Sequence, residues 1–221
     1  MKVIGHRGAK GLAPENTLRA FKKALEHHVD EIEFDLRVTK DDIVILHHNP
    51  DLTDPADNKL LIADHTLAEL REHKPDLLTF KELLEFADYQ THLLIEIKPH
   101  EPTTPIIRLL TAEITKGRPI GMMSICSFDQ AILRAVHKTF PEIELVVIER
   151  WSGIRATLHA REISTKRISI GSSWLWQGFL MMMHWRGYQI SPYTLNDPEQ
   201  VRKWQPYLYG IITDYPDRFE K

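Results

Sequence analysis

Residues 31–48, EIEFDLRVTKDDIVILHH, contain two β-patterned runs joined by the short link VTKDD. Strand-like runs occur at 3–5, 31–37, 43–47, 92–97, 122–127, 144–148, 167–170, 188–191 and 210–213, and most precede a stretch with helical periodicity. Strand then helix, repeated along a chain, implies a parallel sheet, but parallel neighbours need a crossover of roughly a dozen residues. VTKDD is too short for one. EIEFDLR therefore rises out of the sheet, the chain turns at Lys40, Asp41 and Asp42, and IVILHH returns antiparallel beside it. Setting the returning arm aside leaves eight parallel strands. The expected fold is α/β: a TIM (β/α)8 barrel with a β-hairpin excursion after the second strand.

The rest of the sequence is compatible with this reading. Length alone allows one barrel or two small domains, but no Pro/Gly/Ser linker and no repeat of fixed period divides the chain, so residues 1–221 are read as a single barrel domain. A formal charge of −3 offers no general attraction to nucleic acid or anionic lipid, so any binding of phosphate must come from a few local cations. The single cysteine, Cys126, excludes an internal disulfide and a multi-cysteine metal site, and the apolar run around it, MMSICSF, makes it a buried structural thiol. The first strand begins almost at once, and no apolar run approaches ~18 residues. A cytoplasmic chain without stable membrane insertion is expected.

Side-chain alternation locates the chemistry. In EIEFDL, Ile32, Phe34 and Leu36 face the helices, so Glu33 and Asp35 point into the barrel. HLLIEIK repeats the pattern, with Leu94, Glu96 and Lys98 inward and the last two near the strand's C-terminal end. The loop GHRGAKGLAPENT, Gly5 to Thr17, places His6 and Arg7 at the C-terminal end of the first strand, and Asn16 or Thr17 can cap the helix that follows. The returning arm brings His47 and His48 back toward the same rim. Three inward carboxylates cannot all stay ionised in a confined site without a hard divalent cation or strong cationic partners, and an all-oxygen set favours magnesium, calcium or manganese over zinc. The competing explanation is buried ion pairing, with Glu33 and Glu96 neutralised by Arg37, Lys98 or Arg7. It would have to explain four features gathered at one end of neighbouring strands.

The chain resembles the glycerophosphodiester phosphodiesterases in the pieces GHRG, APENTLRAF, EFDLRVTKDD, HHNPDL, IEIK, CSFD and GIITDYPD, over nearly its whole length. The resemblance implies a TIM barrel with this excursion and metal-dependent hydrolysis of a small-molecule glycerophosphodiester to glycerol 3-phosphate and an alcohol. It implies His6 and His48 as the acid–base pair, and Glu33, Asp35 and Glu96 as ligands of one divalent cation, Mg2+ or Ca2+. Arg7 and Lys98 would contact the phosphate, and a glycerol hydroxyl would be the nucleophile, through a cyclic phosphate that water opens. Two positions depart from the family pattern. Asn49 stands where Asp usually follows the second histidine, and Asp54 where an arginine is usual.

Four readings complete the expectation. Tyr193, at the end of the seventh barrel strand, is a candidate to stack on the substrate, with rim packing as its rival; Asp214 can orient a rim residue but is not assigned to the site. His47, on the opposite face of the returning arm from His48, is expected to tolerate replacement. The aromatic and Met-rich segment 172–185, SSWLWQGFLMMMHW, reads as barrel-helix core, with a greasy substrate cleft or a homodimer interface as alternatives. The greasy cleft keeps open a related barrel phosphodiesterase acting on lysophospholipid-like diesters, and Asn49 keeps open a noncatalytic phosphate- or metal-binding barrel.

Overall fold

Alternating apolar residues build two concentric layers. The computed structural model describes residues 1–53, 57–87 and 90–219. In chain order the elements are β1 (Lys2–Gly5), α1 (Leu18–Glu26), β2 (Glu31–Val38), β3 (Val44–Leu46), β4 (Asp51–Thr53), β5 (Lys59–Leu61), α2 (Leu67–His73) and α3 (Phe80–Ala87). There follow β6 (His92–Ile97), α4 (Thr103–Thr115), β7 (Met123–Ser127), α5 (Gln130–Thr139), β8 (Glu144–Glu149), α6 (Gly153–Glu162), β9 (Arg167–Gly171), α7 (Gln177–Trp185), β10 (Gln189–Tyr193), α8 (Pro198–Trp204) and β11 (Gly210–Thr213).

Hydrogen bonding runs β1-β11-β10-β9-β8-β7-β6-β2, all parallel, and β1 pairs with β2 to close the ring. This is a (β/α)8 barrel. Outward residues such as Ile32, Phe34 and Leu36 pack on the helices, where Phe34 meets Phe21 edge-on at 6.0 Å and Phe80 at 5.7 Å. Inward residues Ile4, Leu94, Cys126, Val146, Ile148 and Ile212 form a separate inner core that floors the mouth of the barrel. Cys126 is buried there, as its apolar setting suggested.

The excursion comes from unequal strand lengths. β1 pairs with β2 only through Ile4–Glu31 and Gly5–Ile32, because the chain turns away after Gly5. The edge of β2 above that point is taken by β3, antiparallel, with Leu36 opposite Leu46 and Val38 opposite Val44. The turn after β1 requires glycine at position 8: φ is +85°, and a Cβ would stand 2.7 Å from the backbone of Ala20 in α1. Thr17, rather than Asn16, caps α1, accepting from the Ala20 N–H.

One feature was not anticipated. Asp51–Thr53 and Lys59–Leu61 pair antiparallel as a small second sheet beyond the returning arm. Segment 172–185 divides its residues: Leu180 and Met183 are core, whereas Trp176, Met182 and Trp185 are exposed. Among the described residues no helix is long and apolar enough to cross a membrane. Asp54 lies outside the described residues.

Candidate active site

The sequence-predicted residues meet at the C-terminal mouth of the barrel. Carboxylate oxygens of Glu33, Asp35 and Glu96, from adjacent strands β2 and β6, lie within 4.8 Å of one another, and all three residues are buried. A cleft of about 560 Å³ opens above them, lined among others by His6, Arg7, His48, Glu96, Lys98 and Tyr193.

The two cations beside the carboxylates are already engaged. Lys98 Nζ sits 2.6 Å from both Asp35 and Glu96, and the Arg7 guanidinium lies 3.1 Å from Asp35 and 2.8 Å from Glu15. Arg37, a possible neutraliser in the sequence reading, instead pairs with Glu101 at 2.8 Å and donates to the His48 carbonyl, fixing the returning arm. Two cations thus face three carboxylates. Burial would raise Asp35, but Lys98 and Arg7 hold it well below the usual carboxylate range, helped by an Asn16 side-chain donor at 2.9 Å. Glu33 has only a backbone N–H from Arg7, at 2.9 Å, as a donor among the described residues; burial, then Asp35 and Glu96, push it well above that range. Burial raises Glu96 to about 7 despite Lys98. A compact, all-oxygen donor set short of positive charge fits a hard divalent cation.

The two histidines are held differently. His6 Nδ1 is 2.6 Å from Asp214, which the Asn196 amide fixes at 3.0 Å. Burial draws His6 below its ordinary value, while Asp214 acts in the opposite direction by favouring the imidazolium. His48 Nδ1 is 2.9 Å from the Asn49 side-chain oxygen. An amide oxygen only accepts, so Nδ1 carries the proton and Nε2 presents a lone pair. Burial, then Lys98, lowers His48 to about 4, leaving it neutral near pH 7. His47 points elsewhere, its Nε2 3.0 Å from the Asp51 carbonyl.

The loop after β1 adopts uncommon backbone to make these contacts. Arg7 (φ +51°) and Asn16 (φ +56°) both occupy the left-handed region, and the Asn16 N–H closes the loop on the Arg7 carbonyl at 3.1 Å. Tyr193 packs edge-on against Phe128 at 6.3 Å and donates to the Glu149 carbonyl at 3.3 Å, so rim packing accounts for its contacts while one side of it borders the cleft. Sequence reasoning did not commit to Asp214 and missed Glu15, Asn16 as a site residue, Phe128, Arg150 and Trp151. For Asn16 the signal was present: a second capping residue beside Thr17 leaves one of the two free for other work.

An eight-stranded barrel with an acidic cluster and two oriented histidines at the C-terminal mouth defines a class of ligand-binding and catalytic TIM barrels. The profile of the Glycerophosphoryl diester phosphodiesterase family matches residues 6–218, and the chain belongs to that family. It is 28% identical to a glycerophosphodiester phosphodiesterase of Bacillus altitudinis, over 100% of this chain and 97% of that protein. With the enzyme of the same description from Bacillus subtilis it shares 27%, over 99% and 85%. Among solved structures, the glycerophosphodiester phosphodiesterase of Thermotoga maritima superposes with a TM-score of 0.80 at 28% identity, covering 99% of this chain and 96% of that one. An Oleispira antarctica phosphodiesterase, solved with the product sn-glycerol-3-phosphate, shares the fold with a TM-score of 0.87 at 23% identity, covering 99% and 94%.

Proposed function

We propose that this chain hydrolyses glycerophosphodiesters to glycerol 3-phosphate and an alcohol, using His6 and His48 as the acid–base pair and a divalent cation, Mg2+ or Ca2+, held by Glu33, Asp35 and Glu96. The observation that carries the reading is the convergence of three buried carboxylates, short of positive charge, with two differently oriented histidines in one cleft. When bound, the cation supplies positive charge for the nonbridging oxygens, whose negative charge grows as phosphorus is attacked.

The protein's own groups do the rest. His48, neutral with its Nε2 lone pair available, takes the proton of the attacking hydroxyl. His6 passes a proton to the departing alkoxide; burial favours its neutral form, Asp214 opposes that by favouring the imidazolium, and the same contact fixes the ring. Arg7 and Lys98 add fixed positive charge beside the phosphate, and their partners Glu15, Asp35 and Glu96 hold them in place. Asn49 sets the His48 tautomer as an aspartate would, without adding a charge that favours the imidazolium.

The test is release of glycerol 3-phosphate from glycerophosphoglycerol and glycerophosphoethanolamine with added Mg2+ or Ca2+, beside a chelated control. Cation-dependent release supports the reading; no release with either ion refutes it.

A further inference from the structure

The cations lining the cleft differ in whether they are paired. Arg7 and Lys98 face the carboxylates described above, and Lys10 stands 3.8 Å from Asp214 and 4.0 Å from Glu15. Arg150, exposed in the turn after β8, has no carboxylate within 4.0 Å of its guanidinium among the described residues. That guanidinium lies 5.1 Å over the ring of Trp151, which lines the same wall.

The backbone beneath this free side chain is firmly tied. The N–H groups of Arg150 and Trp151 donate to the Glu149 carboxylate at 2.8 and 3.0 Å, and Arg155 grips that carboxylate at 2.5 and 2.7 Å. The Trp174 indole N–H donates to the Arg150 carbonyl at 2.6 Å. Gly171 passes so close that a Cβ there would stand 2.6 Å from the same carbonyl. Trp174 and its neighbours thus have a purpose that core packing left unexplained: they fix the place from which an unpaired cation reaches into the cleft.

Arg150 does not border the narrow floor pocket that contains Glu33 and Glu96, but only the wider cleft above it. Its role therefore concerns what extends away from the reacting phosphate. Glycerol carries no charge, so the half of the substrate able to answer a free guanidinium is the alcohol. A guanidinium fork matches the paired oxygens of a phosphate or carboxylate, and one face of Trp151 is already covered by Arg150, which disfavours a quaternary ammonium there.

We propose that Arg150 recognises the departing alcohol, and that the chain favours glycerophosphodiesters whose alcohol half bears an anionic group of its own. The inference rests on the phosphodiesterase reading above. Its test compares kcat/KM on glycerophosphocholine, glycerophosphoinositol, glycerophosphoinositol 4-phosphate and glycerophospho-N-acetylserine, with Mg2+ or Ca2+ present. The inositol pair differs by one phosphate on the same alcohol, and the serine derivative carries a single carboxylate.

The 4-phosphate should exceed glycerophosphoinositol by about tenfold, the worth of one charge-assisted contact, and the choline diester should be the poorest substrate. Arg150→Gln should bring the ratio for the inositol pair close to one, Arg150→Lys should keep most of it, and salt should shrink it in the wild type. A gain on the serine derivative as well extends the class to carboxylates; a gain on the 4-phosphate alone restricts it to phosphates. Equal turnover of all four diesters, or a ratio that Arg150→Gln leaves unmoved, overturns the inference while leaving the phosphodiesterase reading intact. No turnover of any of them overturns both.

Discussion

Glu31 and Glu33 are neighbours on the same face of β2, both buried within the barrel, yet their surroundings are opposite. At the lower end Glu31 meets Arg167, Lys2 and the Tyr209 hydroxyl, and Arg167 also reaches Glu144. Two carboxylates face two cations, and although burial opposes it, Arg167 and Lys2 draw Glu31 below its ordinary value. At the upper end, two cations are divided among Glu33, Asp35 and Glu96, and Arg7 is shared with Glu15 as well. A buried charge cluster that balances is architecture. One that falls short of positive charge has room for a cation: buried ion pairing accounts for the bottom of the barrel, whereas at its mouth Lys98 and Arg7 pair with Asp35 and Glu96 and, among the described residues, no cation lies within 4.0 Å of Glu33.

The comparison breaks most visibly at the carboxylates. Glu96→Gln keeps the shape of the side chain and removes one negative charge from the upper cluster. Steady-state assays with saturating Mg2+ or Ca2+ should find turnover reduced by at least ~10³-fold, since several kcal/mol of transition-state stabilisation are lost at about 1.4 kcal/mol per decade. An active Glu96→Gln enzyme would make the upper cluster as structural as the lower one.

The histidines come next. His6→Ala or His48→Ala should each lower turnover by ~10²-fold or more, with calorimetric metal affinity nearly unchanged, as expected of acid–base groups outside the carboxylate cluster. His47→Ala, whose ring is turned to the Asp51 carbonyl, should lose far less. The reverse result would mean that the returning arm presents the wrong face to the cleft.

The upper cluster was legible in the sequence because it rests on local rules, whereas the lower one, built on Glu31 and Arg167, was not read there. Period-two alternation in EIEFDL and HLLIEIK placed Glu33, Asp35, Glu96 and Lys98 on the inner face, and the short VTKDD link required the antiparallel arm. What stayed hidden depends on contacts between distant parts of the chain. Asp214 meets His6 across 208 positions, and only closure of β11 against β1 brings them together. The small β4–β5 sheet uses three-residue strands, DLT and KLL, too short to display a period. Arg150 followed a recognised strand, but nothing in its neighbours indicated that it would be left unpaired.

Stability offers a smaller and sharper comparison. Arg167→Met leaves Glu31 with Lys2 as its one remaining cation in the lower cluster and should cost ~3 kcal/mol, lowering the melting temperature by roughly 10 °C whether or not metal is added. Lys98→Met strands Glu96, leaves Asp35 with Arg7, and should destabilise the metal-free chain by a similar amount, but added Mg2+ or Ca2+ should recover much of the loss while turnover stays low. If metal rescues both variants equally, the two ends do not differ as described.

The smallest effect is in protons. Glu96 is raised to about 7 in the metal-free chain, so below that pH its carboxyl is largely protonated and must lose its proton to bind a cation. Its contribution to folding is therefore fully present below the ordinary value of 4.5 and is lost as pH rises through about 7. Calorimetric titrations with Ca2+ at pH 6, in buffers of different ionisation enthalpy, should detect proton release and weaker binding than at pH 8. Binding that is independent of pH across this window would remove Glu96 from the ligand set.

The most direct measurement is a crystal structure of the chain soaked with Ca2+. One ion should be bonded to oxygens of Glu33, Asp35 and Glu96 at about 2.3–2.6 Å, with His6 and His48 facing the cleft above it. A structure in which no ion binds at saturating Ca2+, with Lys98 still bridging Asp35 and Glu96, would contradict this coordination.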